Sequence, residues 1–292
     1  MSIVERALKK AQDRDPGNPR QRREQPQTPE SGSPDSLPPV VHRQLKLDRE
    51  RLRETGALPP LEHERQLTEQ YRRIKRPLVA YALNSETKGV GNPQIIMVAS
   101  AVPGEGKTFT AINLAISLAQ ERDVNVLLVD SDIAKPHVSD LCSLRGERGL
   151  FDALADESLD VESLVFDTGV AGLSFLPAGI VRDGSAELLA SHRMHALMNQ
   201  LLARDARRLV VIDSPPLLLT NESRELVNMA GQVVLVVRAG STEQQAVLDA
   251  IALIPEGKNT GLILNYVNPK SSDVQFYGYG QYGTSSAPAT QA

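Results

Sequence analysis

The run Ala101-Val-Pro-Gly-Glu-Gly-Lys107-Thr108 does most to restrict the fold, because it joins two opposed periodicities. Before it, Ile95 to Ala99 is continuously apolar and ends near Ser100, the mark of a strand buried on both faces. After it, Ala111, Ile112, Leu114, Ala115 and Leu118 recur at helical spacing. Strand, glycine-bearing loop and helix in that order make a phosphate cradle. Gly104 and Gly106 let backbone N–H groups turn inward, and the start of the helix favours negative charge. Lys107 is placed to reach the β- and γ-phosphates of ATP, and Thr108 to set its hydroxyl on Mg²⁺. Pro103, Glu105 and Phe109 complete the cofactor-binding stretch. The first glycine of the usual pattern is Ala101 here.

Further β-branched runs alternate with helical patterns: Val124 to Val129, Leu173 to Leu176, Leu209 to Ile212, Val233 to Val237 and Leu262 to Leu264, with helices predicted at 107–121, 186–204 and 242–253. The expected fold is α/β, a doubly wound, mostly parallel sheet of the P-loop NTPase kind. Ligands of such sheets collect at the carboxyl ends of the strands. Two of those ends are acidic. Val124 to Val129 runs into Asp130-Ser-Asp132, a pair suited either to dividing hydroxyl and metal duties or to capping the next helix. Leu209 to Ile212 runs into Asp213-Ser-Pro-Pro216, which resembles a Walker B site whose acid holds Mg²⁺ directly or through water. Thr108, Asp132 and Asp213 are thus the expected metal set, and Lys107, Asp130 and Asp132 the expected catalytic one. Both carboxylates of the pair are expected to face the nucleotide.

The flanks read differently. The first sixty residues hold nine of the 19 prolines, and the first aromatic residue of the chain is Tyr71, so residues 1–60 are expected to be mostly disordered. Within them Ile3, Val4, Ala7, Leu8 and Ala11 fall at the spacing of a short amphipathic helix. Residues 61–267 are the expected folded domain. It opens with a charged helix at 61–83 that Pro77 interrupts or kinks, with Glu69, Arg72 and Lys75 three apart on one side. Residues 268–292 are expected to be a mobile tail, in which Tyr277, Tyr279 and Tyr282 are spaced by glycines. A net charge of -4 gives no reason to expect nucleic acid as a partner. No run reaches the roughly 20 apolar residues of a membrane helix. Neither a signal-peptide core nor a second cysteine beside Cys142 is present, so a cytoplasmic location is expected. His42, His63, His137, His192 and His195 lack ligand spacing.

Taken together, the loop at Lys107, the acids Asp130, Asp132 and Asp213, and the tyrosine tail resemble a bacterial tyrosine autokinase of the BY-kinase family, in the branch found with exosortase (PEP-CTERM) exopolysaccharide loci. The resemblance covers about Leu61 to Tyr282 and the opening Ser2 to Leu8. It implies that Lys107 lies in Walker A, Asp130 and Asp132 in Walker A′, and Asp213 in Walker B. It implies autophosphorylation of Tyr277, Tyr279 and Tyr282, with Asp130 orienting or deprotonating the hydroxyl. Glu69-x-x-Arg72-x-x-Lys75 resembles the family's ring-forming Glu-x-x-Arg-x-x-Arg and implies a homo-oligomer. A separate membrane-embedded polysaccharide co-polymerase as activator, a cognate tyrosine phosphatase, and a peripheral place at the inner membrane through the partner are further implications. Asn265 matches the position where relatives of the fold contact adenine, and it also suits a turn. The chain departs from the family in having Ala134-Lys135 where Asp-x-Asp-x-Arg-x-Pro has its arginine. ParA/MinD-type ATPases share the deviant Walker loop but carry a lysine near its start, where this chain has Val102. A nucleotide-binding scaffold for polysaccharide export is the alternative without chemistry.

Overall fold

Six apolar runs become the strands that carry the site: β2 (Asn92–Ser100), β3 (Asn125–Asp130), β5 (Leu173–Leu176), β6 (Arg208–Asp213), β7 (Ala230–Arg238) and β8 (Asn259–Asn265). Two-residue strands β1 (Arg43–Gln44) and β4 (Phe166–Asp167) extend one edge, giving the order β1-β4-β5-β3-β6-β2-β7-β8. All pairings are parallel except β4 with β5. The computed structural model describes residues 42–84 and 89–267. The amphipathic opening and Tyr277, Tyr279 and Tyr282 lie outside the described residues.

Alternate residues of the strands face two separate cores. Ile96, Val98, Val126 and Leu128 pack under α2 (Leu61–Leu83) and α3 (Lys107–Leu118). Ile95, Met97, Leu127 and Val129 pack under the helices of the opposite face, chiefly α7 (His192–Arg204) and α8 (Glu222–Met229). Short helices α4 (His137–Leu141), α5 (Leu150–Ala155) and α6 (Ser185–Leu189) fill the connections, and α9 (Gln244–Ala252) precedes β8. The helix predicted at 186–204 is two, α6 and α7, broken at residues 190–191. Edge strand β8 is not buried on both faces, for Leu262 and Leu264 are about half exposed.

The folded body starts well before residue 61. Ahead of α2 come β1 and α1 (Arg49–Glu54), whose Asp48 side chain caps the helix by accepting the Arg51 N–H at 3.0 Å. Leu52, Ala57 and Leu58 are buried in the core under α2 and α3. His42 is fixed 2.9 Å from Glu162, whose two oxygens Arg208 grips at 2.6 and 2.7 Å. Residues 42–60, expected to be mostly disordered, therefore belong to the folded body, because leucines 45, 47, 52 and 58 supply enough apolar surface to dock the segment.

Lys75 also departs from expectation. Glu69 and Arg72 form an exposed ion pair at 2.9 Å, but Lys75 points inward and is 4% exposed. Its ammonium donates to the Ser117 carbonyl at 2.6 Å and pairs with Glu121 at 2.8 Å. Position 75 lies six residues, 600° of helix rotation, beyond 69, so the three side chains do not share one face. Arg73 and Arg76 are the exposed cations there. Lys75→Ala removes the charge-assisted bond that fastens α2 to α3 and is expected to cost about 2 kcal/mol, read as a lower urea midpoint. An unchanged midpoint would contradict the docking described.

Candidate functional site

Chain connections leave β2 toward β3 on one side and β6 toward β7 on the other, so the sheet splits its crossovers where β6 meets β2. A crevice opens at the carboxyl end of such a junction. Here it is a cleft of about 520 Å³. Pro103, Gly104, Gly106, Lys107, Thr108 and Phe109 line one wall. Asp132, Ala134 and Lys135 line the facing wall.

Backbone geometry explains the glycines. Gly104 and Gly106 have φ of 81° and 94°, which side-chain-bearing residues avoid. At Gly106 a Cβ would also lie 2.1 Å from the Asn265 amide nitrogen. Ala101 has no positive φ and is fully buried, so the missing first glycine demands nothing of the backbone. The Asp213-Ser-Pro-Pro turn backs the loop, with Leu217 N–H donating to the Ser100 carbonyl at 2.8 Å.

Glu105 and Asn265 serve the loop from behind and do not border the cleft. The Glu105 carboxylate is 1% exposed and accepts the Val102 N–H and the Thr242 hydroxyl. Asn265 donates its amide to the Glu105 carbonyl at 3.0 Å. The ends of β7 and β8 thereby brace the phosphate loop. The side chain that does reach the cleft from this strand is Tyr266, at φ 57°, with the Arg238 guanidinium 4.6 Å from its ring centre.

Asp130 differs from its expected orientation. It is fully buried behind Asp132, where its Oδ2 accepts the Ser139 N–H and hydroxyl at 2.8 and 2.7 Å and its Oδ1 the Asp132 N–H at 3.3 Å. β3 and β6 pair in parallel so that Asp130 and Asp213 are direct register partners. Burial, helped by the Asp213 charge, pushes the Asp130 carboxyl up to about 8, although the Ser139 bonds pull the other way. Asp213 rises to about 6 through burial, with Lys107 and the Thr108 hydroxyl holding it down.

The Thr108 hydroxyl donates to Asp213 Oδ2 at 2.8 Å, while Asp213 Oδ1 is buried without a hydrogen-bond partner among the described residues. An orphaned carboxylate oxygen beside a threonine hydroxyl and a lysine fits a divalent cation bound with a polyphosphate, a hard ion that seeks oxygen ligands. Asp132 lines the same cleft, and its charge acts on Asp213, so a further carboxylate stands within reach of this pair.

Residues that sequence reasoning passed over also line the cleft: Thr55, Gly56 and Ala57 from the segment before α2, and His137, Leu219 and Tyr266. The first three were hidden by the proline-rich stretch preceding them. Asn113 ties them down, donating its amide to the Ala57 carbonyl at 2.9 Å. Lys135 occupies the wall where the family's arginine was expected, its N–H bonded to Asp132 at 3.0 Å.

Comparison with known proteins agrees with this geometry. Residues 93–262 match the model of the AAA domain family. Tyrosine-protein kinase YwqD of Bacillus subtilis is 35% identical over 219 residues, covering 74% of this chain and 86% of that protein. Tyrosine-protein kinase etk of Escherichia coli K12 is 33% identical over 185 residues, 63% of this chain. The match spans only 25% of that longer relative. The solved kinase domain of E. coli ETK superposes with a TM-score of 0.60 at 29% identity, covering 73% of this chain and 80% of that one. The VpsO kinase domain gives 0.58 at 28%, covering 72% and 100%. On fold, phosphate loop, acidic strand ends and sequence alike, the chain belongs to the family of bacterial tyrosine-protein kinases.

Proposed function

We propose that this chain transfers the γ-phosphoryl group of Mg·ATP to tyrosine hydroxyls, and that Tyr277, Tyr279 and Tyr282 of its own tail are the acceptors. The observation that carries the reading is the Thr108–Asp213 pair with its unpartnered oxygen, set beside Lys107 and in the same cleft as Asp132. Thr108, Asp213 and Asp132 would hold Mg²⁺, which supplies neutralisation of the phosphate charge when bound. Lys107 and the backbone N–H groups of Gly104 and Gly106 bind and orient the phosphates. Asp132 faces the cleft with one oxygen on the Lys135 N–H, leaving the other for the ion or the incoming hydroxyl. Asp130, first expected to take the hydroxyl proton, acts one step back, holding Asp132 in place through its N–H. Such a transfer depends mostly on position and charge and needs little from a base.

The proposal extends to regulation of exopolysaccharide synthesis or export in the PEP-CTERM setting, to a homo-oligomer, and to a separate membrane-embedded activator and a cognate phosphatase, for which the resemblance of the motifs is the support. The exposed Glu69–Arg72 pair supports an oligomer contact on α2, with Arg76 in place of Lys75 as the third charge. Among the described residues no helix is long and apolar enough to cross a membrane.

Incubation of the chain with labelled Mg·ATP, followed by mass-spectrometric mapping, tests the proposal. Label on the three tail tyrosines that is lost in the triple Tyr→Phe variant is the expected result. Phosphate released to water with no labelled tyrosine would sink it in favour of an ATPase, and nucleotide bound without turnover would favour a scaffold.

A further inference from the structure

A second cavity of about 60 Å³ lies behind the nucleotide helix, between α1, α2 and α3. It is unlike the cleft in having no phosphate loop, and no part of the proposed reaction uses it. Arg53 and Arg49 enter from α1, Glu64 and Tyr71 from α2, and Asn113 and Ser117 from α3. Two buried groups there have no hydrogen-bond partner among the described residues: Arg53 Nε and Ser117 Oγ. Ser117 is 5% exposed.

These two orphans define what is missing. A guanidinium Nε can only donate, and a serine hydroxyl donates freely, so each calls for an acceptor, and an anion with several oxygens can serve both. Charge points the same way. Glu64 is the one acid lining the cavity among the described residues; it lies 3.0 Å from Arg53 and 3.8 Å from Arg49, so two cations face one anion. The neighbouring polar groups are already engaged, Asn113 Nδ2 with the Ala57 and Phe109 carbonyls and Tyr71 with Thr110. At about 15 Å³ per water the volume takes on the order of four waters, or one anion with its oxygens.

We propose that this cavity is a second binding site, for a small oxyanion of the phosphate or carboxylate class, held by Arg53 and Ser117 with Arg49 at the mouth. The bound anion joins α1, which precedes the Thr55–Ala57 wall of the cleft, to α3, whose first residue is Lys107. Occupancy therefore ties the arm to the nucleotide helix.

The test uses the full chain with its nucleotide site saturated by a non-hydrolysable Mg·ATP analogue, so that the phosphate loop is filled. Inorganic phosphate and, in a separate arm, acetate are titrated by isothermal calorimetry. One binding event per chain is expected, weakened about tenfold or more in Arg53→Gln and in Ser117→Ala, since a hydrogen bond to a charged group is worth about that factor. The stronger of the two arms tells a phosphate ligand from a carboxylate. Ser117→Ala leaves the Ser117 carbonyl that receives Lys75 in place, so its effect is not one of misfolding. A cavity that holds only water gives no heat in either arm, and binding unchanged in both variants places the anion elsewhere; either result overturns the proposal.

Discussion

Lys107→Met is expected to lower the rate of tyrosine phosphorylation by about a thousandfold while leaving the fold intact. Removal of one preorganised charge from the transition state costs on that order. Lys107 opens α3 and is 8% exposed, so a methionine of similar length keeps the packing while losing the cation. A second loss follows from the electrostatics: Lys107 is the leading influence that holds the Asp213 carboxyl down. Without it Asp213 binds its proton more tightly and offers a poorer oxygen to the metal. The variant should therefore need more Mg²⁺ as well as turning over more slowly. Steady-state kinetics at several Mg²⁺ concentrations, with circular dichroism as the check on folding, measure both. Retention of a tenth of the parent rate would remove Lys107 from the proposed role.

The metal-free protein is expected to lose stability as pH rises from about 6 to 8. Asp130 and Asp213 sit at about 8 and about 6, above the usual 3.8. Between those limits the folded chain holds protons that the unfolded chain has released, so their contribution is complete below about 4 and is lost as pH climbs through 6 and then 8. The slope approaches about 1.4 kcal/mol per pH unit while one such carboxyl is protonated only in the folded state. Lys258 acts above this window and with opposite sign. Burial lowers its ammonium to about 8, so its cost is relieved at higher pH. Urea titrations at pH 6, 7 and 8 in the presence of a chelator read the slope, and Asp130→Asn should flatten it. The same slope in Asp130→Asn would show that the proton sits elsewhere. Binding of Mg·nucleotide should release protons, seen as a calorimetric heat that varies with the buffer.

Strands β2, β3, β6 and β7 could be read from the sequence because burial on both faces leaves no polar residue in their apolar runs. Their acidic ends could be read for the same reason, since Asp130 and Asp213 stand out against the valines and leucines before them. The arm at residues 42–58 was not legible. Its leucines are spread through a charged stretch that follows a proline-rich one, and only the docking of Leu52 and Leu58 against α2 and α3 gives them a period. Lys75 misled because a lysine flanked by arginines reads as solvated, whereas its ammonium is satisfied by a carbonyl from a helix 42 residues further on. Asp130 misled through spacing. Two carboxylates two residues apart suggest a shared direction, yet the chain turns after the strand, and Ser139 draws the first one inward.

The brace under the phosphate loop also bears on how the protein is made. Asn265 supports Glu105 from 160 residues further along the chain. At roughly 5 to 20 residues per second, a ribosome needs on the order of 8 to 32 s to travel that distance. The loop thus emerges long before the residue that holds it, and a nascent chain meets cellular ATP with its cradle still unsupported. Firm nucleotide capture is then expected only after β8 has joined the sheet, late in biogenesis.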